Sequence, residues 1–171
     1  PEAQLFAYAL YLLAKWREPR AYPLVCRFLS LPGDQAYGLG GDIATQDGAR
    51  ILAAVCDGNL DPIKSVILNR EADEFCRATA IHALSLLAAW AEVPRESIEA
   101  WFLWLATEGL EREPSDAWDG LCSECVDIEA LPVFPALRRA YDDGLASDMS
   151  MDPTEMDQVE REPRGLRLAD T

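Results

Sequence analysis

Cys122 and Cys125 stand three residues apart in "CSEC". On a helix, residues at that spacing share a face, so two thiols could hold one metal ion or, at a helix start, form a redox pair of lowered pKa. A tetrahedral zinc site needs two more ligands. The chain offers only Cys26, Cys56, Cys76 and His82, each isolated in sequence, and no second CxxC. Glu124 and Asp127 beside the pair raise a thiol pKa rather than lower it. Small buried packing residues are therefore expected at 122 and 125, with metal or redox chemistry as the alternative. His82 is the only histidine, so any imidazole acid, base or ligand must be this one. Helical spacing puts it in line with the small residues Ala78, Ser85 and Ala89, and no nucleophile motif accompanies it. A structural role is expected, and a Cys-His or Ser-His pair is the alternative.

A second candidate is "GLGGDIATQDGAR" from Gly38 to Arg50. A phosphate-binding glycine loop follows a strand, leads into a helix N-terminus and usually carries a lysine. Here the flanks read as helical, no lysine follows, and Asp42 and Asp47 would repel an anion, leaving Arg50 as the nearby cation. The stretch is expected to be a hinge: Thr45 caps a helix beginning near Gln46, and Gly38, Gly40 and Gly41 let the chain reverse.

Paired carboxylates such as Asp142 and Asp143 are adjacent in sequence and diverge on a helix, which suits solvation better than acid-base catalysis. Trp101, Phe102 and Trp104 lie on one predicted helix and are expected to fill space between layers rather than anchor a partner.

The elements that position these residues are helical. No window shows the sustained alternation of a half-buried strand, whereas helical periodicity runs through most of the 171 residues. Predicted helices span 2–17, 20–30, 46–56, 61–69, 74–90, 94–110, 115–128 and 131–142. Pro23, Pro62, Pro94 and Pro132 each fall at or near the start of the second helix of a pair, at intervals of 39, 32 and 38 residues. Proline is tolerated there because the first turn needs no N–H. Helix pairs recurring at this length predict an all-α fold, a right-handed α-α superhelix or HEAT-like solenoid of about four pairs. The expected organisation is a helical repeat domain over 1–145 and an acidic segment over 146–171. In that segment Asp152, Pro153 and Glu155 start one short helix, and a loose tail follows Arg161. The predicted first helix, Glu2 to Arg17, is apolar almost all round, unlike the polar outer face of a terminal repeat. Helices preceding Pro1, or another subunit, are expected against it.

Composition narrows the function classes. Half of the residues are apolar, and thirty acidic side chains against fifteen basic give a net charge of −15. The field repels phosphates and anionic lipid, and the scattered arginines with only two lysines make no DNA-binding stripe. Fourteen acidic and three basic residues lie between Glu111 and Glu160. That charge marks a solvated surface or a docking face for a basic protein. The longest apolar run, Ala80 to Val93, is shorter than the roughly 20 residues that cross a bilayer. An odd number of cysteines and no signal-like start point to the cytoplasm.

Several stretches together carry a resemblance: "YALYLLAKWREPRAYPL" at 8–24, "GDIATQDGARILAAVCDGN" at 41–59, "LEREPSDAWDGLCSECVDI" at 110–128 and "ALRRAYDDGL" at 136–145. In order and spacing they resemble a bacterial domain-of-unknown-function family, number eleven eighty-six, across most of the chain. The resemblance implies a helical-repeat fold and supplies no catalytic residue. Its pattern is more often acidic at the position of Gln46. Some members are followed by a cysteine-rich zinc motif, of which this tail has none.

The expected function is a non-catalytic protein-binding scaffold without cofactor, whose partner is a protein of basic character. Nucleic acid and membrane are disfavoured. The alternative is an enzyme or metal-binding protein using His82 or the Cys122 and Cys125 pair.

Overall fold

The computed structural model describes residues 2–162. Every regular element among them is helical, with only isolated backbone bridges from Pro32 and Gly33 to Ala72. The chain divides into two compact units, one running up to Leu84 and the other from Ser85 on.

The first unit begins with α1 (Glu2–Lys15) and α2 (Tyr22–Leu29), joined by a 3-10 turn over Pro19–Ala21. Two short helices follow, α3 (Gln35–Gly40) and α4 (Ile43–Gln46), then α5 (Gly48–Val55) and α6 (Asp61–Leu68). α1 packs on α5, and α2 packs on α6. First helices thus meet first helices, and second meet second. Leu29, Leu52, Ile63 and Ile67 are fully enclosed where these layers meet. The buried Tyr22 hydroxyl donates to the Asn59 carbonyl at 2.6 Å, tying the start of α2 to the loop before α6.

The division between the units falls within α7 (Glu74–Ala89). The second unit continues with α8 (Arg95–Trp104), which widens into a π-helical turn over Leu105–Gly109, then α9 (Asp116–Asp127), a 3-10 turn over Leu131–Val133, α10 (Phe134–Asp142) and α11 (Thr154–Arg161). α8 packs on the 3-10 turn and on α9, and α11 packs on α9. Trp118 is fully buried and its indole N–H donates to the Glu111 carbonyl at 2.8 Å, which satisfies the one polar atom that burial would otherwise penalise. Arg138 on α10 bonds Asp157 and Glu160 on α11, so part of the acidic charge is used to dock the last helix.

Most predicted elements correspond to helices, with instructive departures. The glycine-rich hinge contains α3 and α4, and Thr45 is not a cap. Its hydroxyl turns back to the Asp42 carbonyl, α5 starts at Gly48, two residues after the expected Gln46, and the Asp47 carboxylate before it accepts the Tyr11 hydroxyl at 2.6 Å. The predicted helix 131–142 is divided because Pro135, at the first turn of α10, suits a fresh start. Asp152 does serve the start of α11, accepting the Thr154 N–H at 2.8 Å. Of the three clustered aromatics only Phe102 is in the core; Trp101 is half-buried and Trp104 is 39% exposed. The expected loose tail concerns residues 163–171, which lie outside those described.

Two substitutions probe this architecture. Leu87 on α7 is 1% exposed, so Leu87→Ala should lower the unfolding free energy by about 2–5 kcal/mol in urea titration. Gly41 lies at φ 61° and ψ −145° with open space around its Cα, so Gly41→Val should cost roughly 1–3 kcal/mol through backbone strain alone. An unchanged denaturation midpoint would remove the conformational role of that glycine.

Candidate functional site

α9 presents Cys122 and Cys125 to the interior, and both are completely buried. Burial pushes the Cys122 thiol up to about 12, partly offset by a hydrogen bond with Tyr141. Cys125 is also pushed well up, by burial first and then by the neighbouring Cys122, Glu124 and Glu99. Thiolates are the nucleophiles and metal ligands, so these surroundings suit packing. Among the described residues no three His, Cys, Asp or Glu side chains come together as a metal-holding group.

His82 sits half-buried on α7. Burial lowers its pKa, and the positive charge of Arg50 acts in the same direction. The imidazole is accordingly neutral at physiological pH, which suits a core-edge residue.

Glu124 drew little notice in the sequence beyond its effect on the thiols, yet it is a buried carboxyl. Burial lifts its pKa to about 8, the Ser85 hydroxyl works against the rise, and Asp127 adds to it. With Ser85 wholly enclosed, the pair has no path to a substrate. Its consequence is for stability.

A pocket of about 350 Å³ opens where α3, α4 and the start of α7 meet in the first unit. Two loops form its frame. The Gly33 N–H donates to the Glu71 carbonyl at 2.9 Å, the Asn69 side-chain amide donates to the Ser30 carbonyl at 3.1 Å, and Arg77 ties α7 to the end of α6 by donating to the Ile67 carbonyl at 2.8 Å. Each loop supplies a carboxylate followed by an aromatic ring, Asp34 with Tyr37 and Asp73 with Phe75. Asp73 is fixed because its Oδ1 accepts the Phe75 N–H at 2.9 Å and the Cys76 N–H at 3.3 Å. Asp34 precedes α3 without capping it, and its carboxylate is exposed. The buried Ala44 and Cys76 and the Thr45 side chain complete an otherwise apolar lining.

The glycine-rich stretch therefore does contribute to a concave surface, through Ala44 and Thr45, but one bearing carboxylates, the reverse of a phosphate cradle. Asp34, Tyr37, Asp73 and Phe75 were not singled out from the sequence. The legible signal was the Asp-x-x-aromatic spacing at 34–37, which brings the two side chains to one face of a helical turn.

The buried carboxyl gives a pH test. A raised folded pKa means that the native state holds this proton where the unfolded chain has lost it, so stability is fully present below about 4.5 and falls as pH rises through about 8. Glu124→Gln removes that dependence. The stability of the variant relative to the parent chain should increase from pH 5 to pH 8 in chemical denaturation, and a constant difference would show that the carboxyl titrates normally.

The family described as "Protein of unknown function (DUF1186)" matches residues 1–165. An "Uncharacterized protein" of Chlamydia trachomatis serovar D is 35% identical over 150 residues, covering 86% of this chain and 59% of the relative. A second "Uncharacterized protein", from Chlamydia muridarum, is 34% identical over 150 residues, covering 86% of this chain and 60% of the relative. The chain thus spans about three fifths of the length of these relatives. No solved structure matches it. By its match along nearly the whole sequence, the chain belongs to the DUF1186 family.

Proposed function

We propose that this chain is a non-catalytic helical-repeat scaffold that binds protein, with its helix pairs arranged as a HEAT-like right-handed α-α superhelix. The repeat character is supported by a recurring chain reversal. The first helix of three pairs ends with a non-glycine residue in the left-handed region: Arg17 after α1, Ala91 after α7 and Glu129 after α9. At each, the following N–H closes back across the turn, from Glu18 to Leu13, Glu92 to Leu87 and Ala130 to Cys125. A proline comes two or three residues after the left-handed residue each time.

The observation that carries the binding role is the uncovered face of α1. Leu5 and Tyr8 are each 69% exposed, Trp16 is 68% exposed, and Tyr11 and Leu12 are exposed beside them. Large apolar side chains gathered on one helix mark an interaction surface, and tyrosine and tryptophan are the residues that most often anchor one. The acidic charge concentrated after Glu111 favours a partner of basic character, and the reading excludes nucleic acid and anionic lipid as ligands. The five cysteines are free thiols, which accords with action in the cytoplasm. No helix among the described residues is long and apolar enough to cross a membrane. The alternative of an enzyme or metal protein using His82 or the Cys122 and Cys125 pair loses support from the burial of the two thiols, which holds them protonated.

The test is capture from cell lysate on the immobilised chain, comparing the parent with Tyr8→Lys/Trp16→Glu and with Asp142→Lys/Asp148→Lys. A specific partner should be lost with the first variant and weakened with the second. Identical partners from all three would remove both surfaces from the reading.

A further inference from the structure

We propose that the pocket framed by Asp34, Tyr37, Asp73 and Phe75 receives the side chain of an arginine or lysine from a partner polypeptide. This rests on the protein-binding reading above and gives that partner a contact chemistry.

The lining decides the class of occupant. Tyr37 and Phe75 line the pocket with 58% and 52% of their surfaces exposed, so two aromatic side chains are accessible there. Between them the buried Ala44 and Cys76 offer apolar surface to an alkyl stem. Asp34 and Asp73 add two negative charges, and among the described residues no lysine or arginine lines the pocket to neutralise them. An anion would be repelled. A wholly apolar ligand would desolvate the Asp34 carboxylate without compensation. An apolar stem ending in a cation satisfies both halves, with the stem against the apolar wall and rings and the charged head between ring face and carboxylate. A volume of about 350 Å³ admits one such side chain and the adjoining backbone but not a folded domain.

The frame is built before any ligand arrives. The loop bearing Asp34 is held to the loop before Asp73 through the Gly33 to Glu71 and Asn69 to Ser30 hydrogen bonds, so the backbone positions from which the two carboxylates extend are set. Asp73 is further oriented by the α7 amides that its Oδ1 accepts. Such preorganisation lowers the ordering cost of binding. Asp34 and Tyr37 lie in and just before a helix of six residues, but the recognition uses their side chains and no helix-end dipole.

The experiment is a ¹H–¹⁵N correlation titration of the whole chain with acetyl-Ala-Ala-Arg-Ala-Ala-amide, and with the same peptide carrying citrulline, which keeps the shape and removes the charge. Saturable shifts are expected at residues 34–37, 44–45 and 73–76 at peptide concentrations up to about ten millimolar. The citrulline peptide should bind about tenfold more weakly. Asp34→Asn and Tyr37→Ala should each weaken the arginine peptide while leaving the thermal midpoint near that of the parent. Asp73→Asn keeps an acceptor for the α7 amides and should act likewise, providing a second variant should either of the others unfold. Equal affinity for the two peptides, shifts confined to other residues, or no saturation in that range would overturn the proposal. Failure of the scaffold reading looks different: pocket binding with charge selectivity stands even where the lysate yields no partner. Conversely, a lysate partner retained undiminished by both Asp34→Asn and Asp73→Asn would overturn the pocket as its contact and leave the scaffold in place.

Discussion

At Arg17, Ala91 and Glu129 the backbone enters the left-handed region with an L side chain attached, at φ 49°, 57° and 54°. Each such residue carries a strain on the order of 1–2 kcal/mol that must be overcome by what the turn makes possible. What it makes possible is a fixed reversal: the next N–H satisfies a carbonyl of the last helical turn, and the chain leaves the helix in a set direction. At Glu129 the arrangement is braced further, because Arg95 at the start of α8 donates to the Glu129 carbonyl at 2.7 Å. The enclosure of Cys125, Ile128 and Phe134 around that reversal depends on the angle being held.

The same packing explains why groups that look reactive in the sequence are quiet in the fold. Cys26, Cys76 and Cys122 all have thiols pushed up to about 12, and in each burial is the largest cause. A chain with twice as many acidic as basic residues has few cations to lower a thiol pKa, so burial and negative neighbours act in the same sense. Where carboxylates gather they are used for joining elements. Asp119 on α9 accepts from the Ser147 N–H and the Ser150 hydroxyl, both at 2.7 Å, and Arg138 gathers Asp157 and Glu160. The excess of charge is partly a fastening for the segment between α10 and α11, which has little apolar surface of its own beyond Leu145 and Met151.

What was legible in the sequence follows from the length over which a physical signal accumulates. The 16 residues of α7 and the 12 of α9 repeat an apolar pattern often enough to be recognised without a partner, and the prolines at 23 and 62 mark first turns because only there is the missing N–H harmless. α3 and α4, of six and four residues, are shorter than two helical turns and contain or adjoin glycines, so no periodicity could disclose them. Their existence depends on tertiary contacts: Ala36 and Ala44 are buried, and a Cβ on Gly40 would come within 2.7 Å of Phe28. The choice of cap before α5 was likewise decided at long range. Thr45 has the chemistry to cap, but Asp47 is engaged by Tyr11, 36 residues away, and the helix start moves to Gly48. The layer position of Trp101 and Trp104 had no local signature either, because their helix is apolar on more than one face.

The pocket lay between these extremes. Its carboxylates and rings are common residue types at unremarkable positions, and nothing local shows that residues 34 and 73 line one pocket. That juxtaposition is produced by backbone hydrogen bonds between two loops 38 residues apart, Gly33 to Glu71 foremost. The spacing equals one interval between the helix-pair prolines to within a residue, since Pro23 and Pro62 are separated by 39. Because α1 packs on α5 and α2 on α6, the loops after α2 and α6 become neighbours, and an aspartate and a following aromatic residue from each side come to line one pocket. The pocket is thus a product of that packing rather than an addition to it: with α1 on α5 and α2 on α6 the two loops lie side by side, and the carboxylates need only border the space between them.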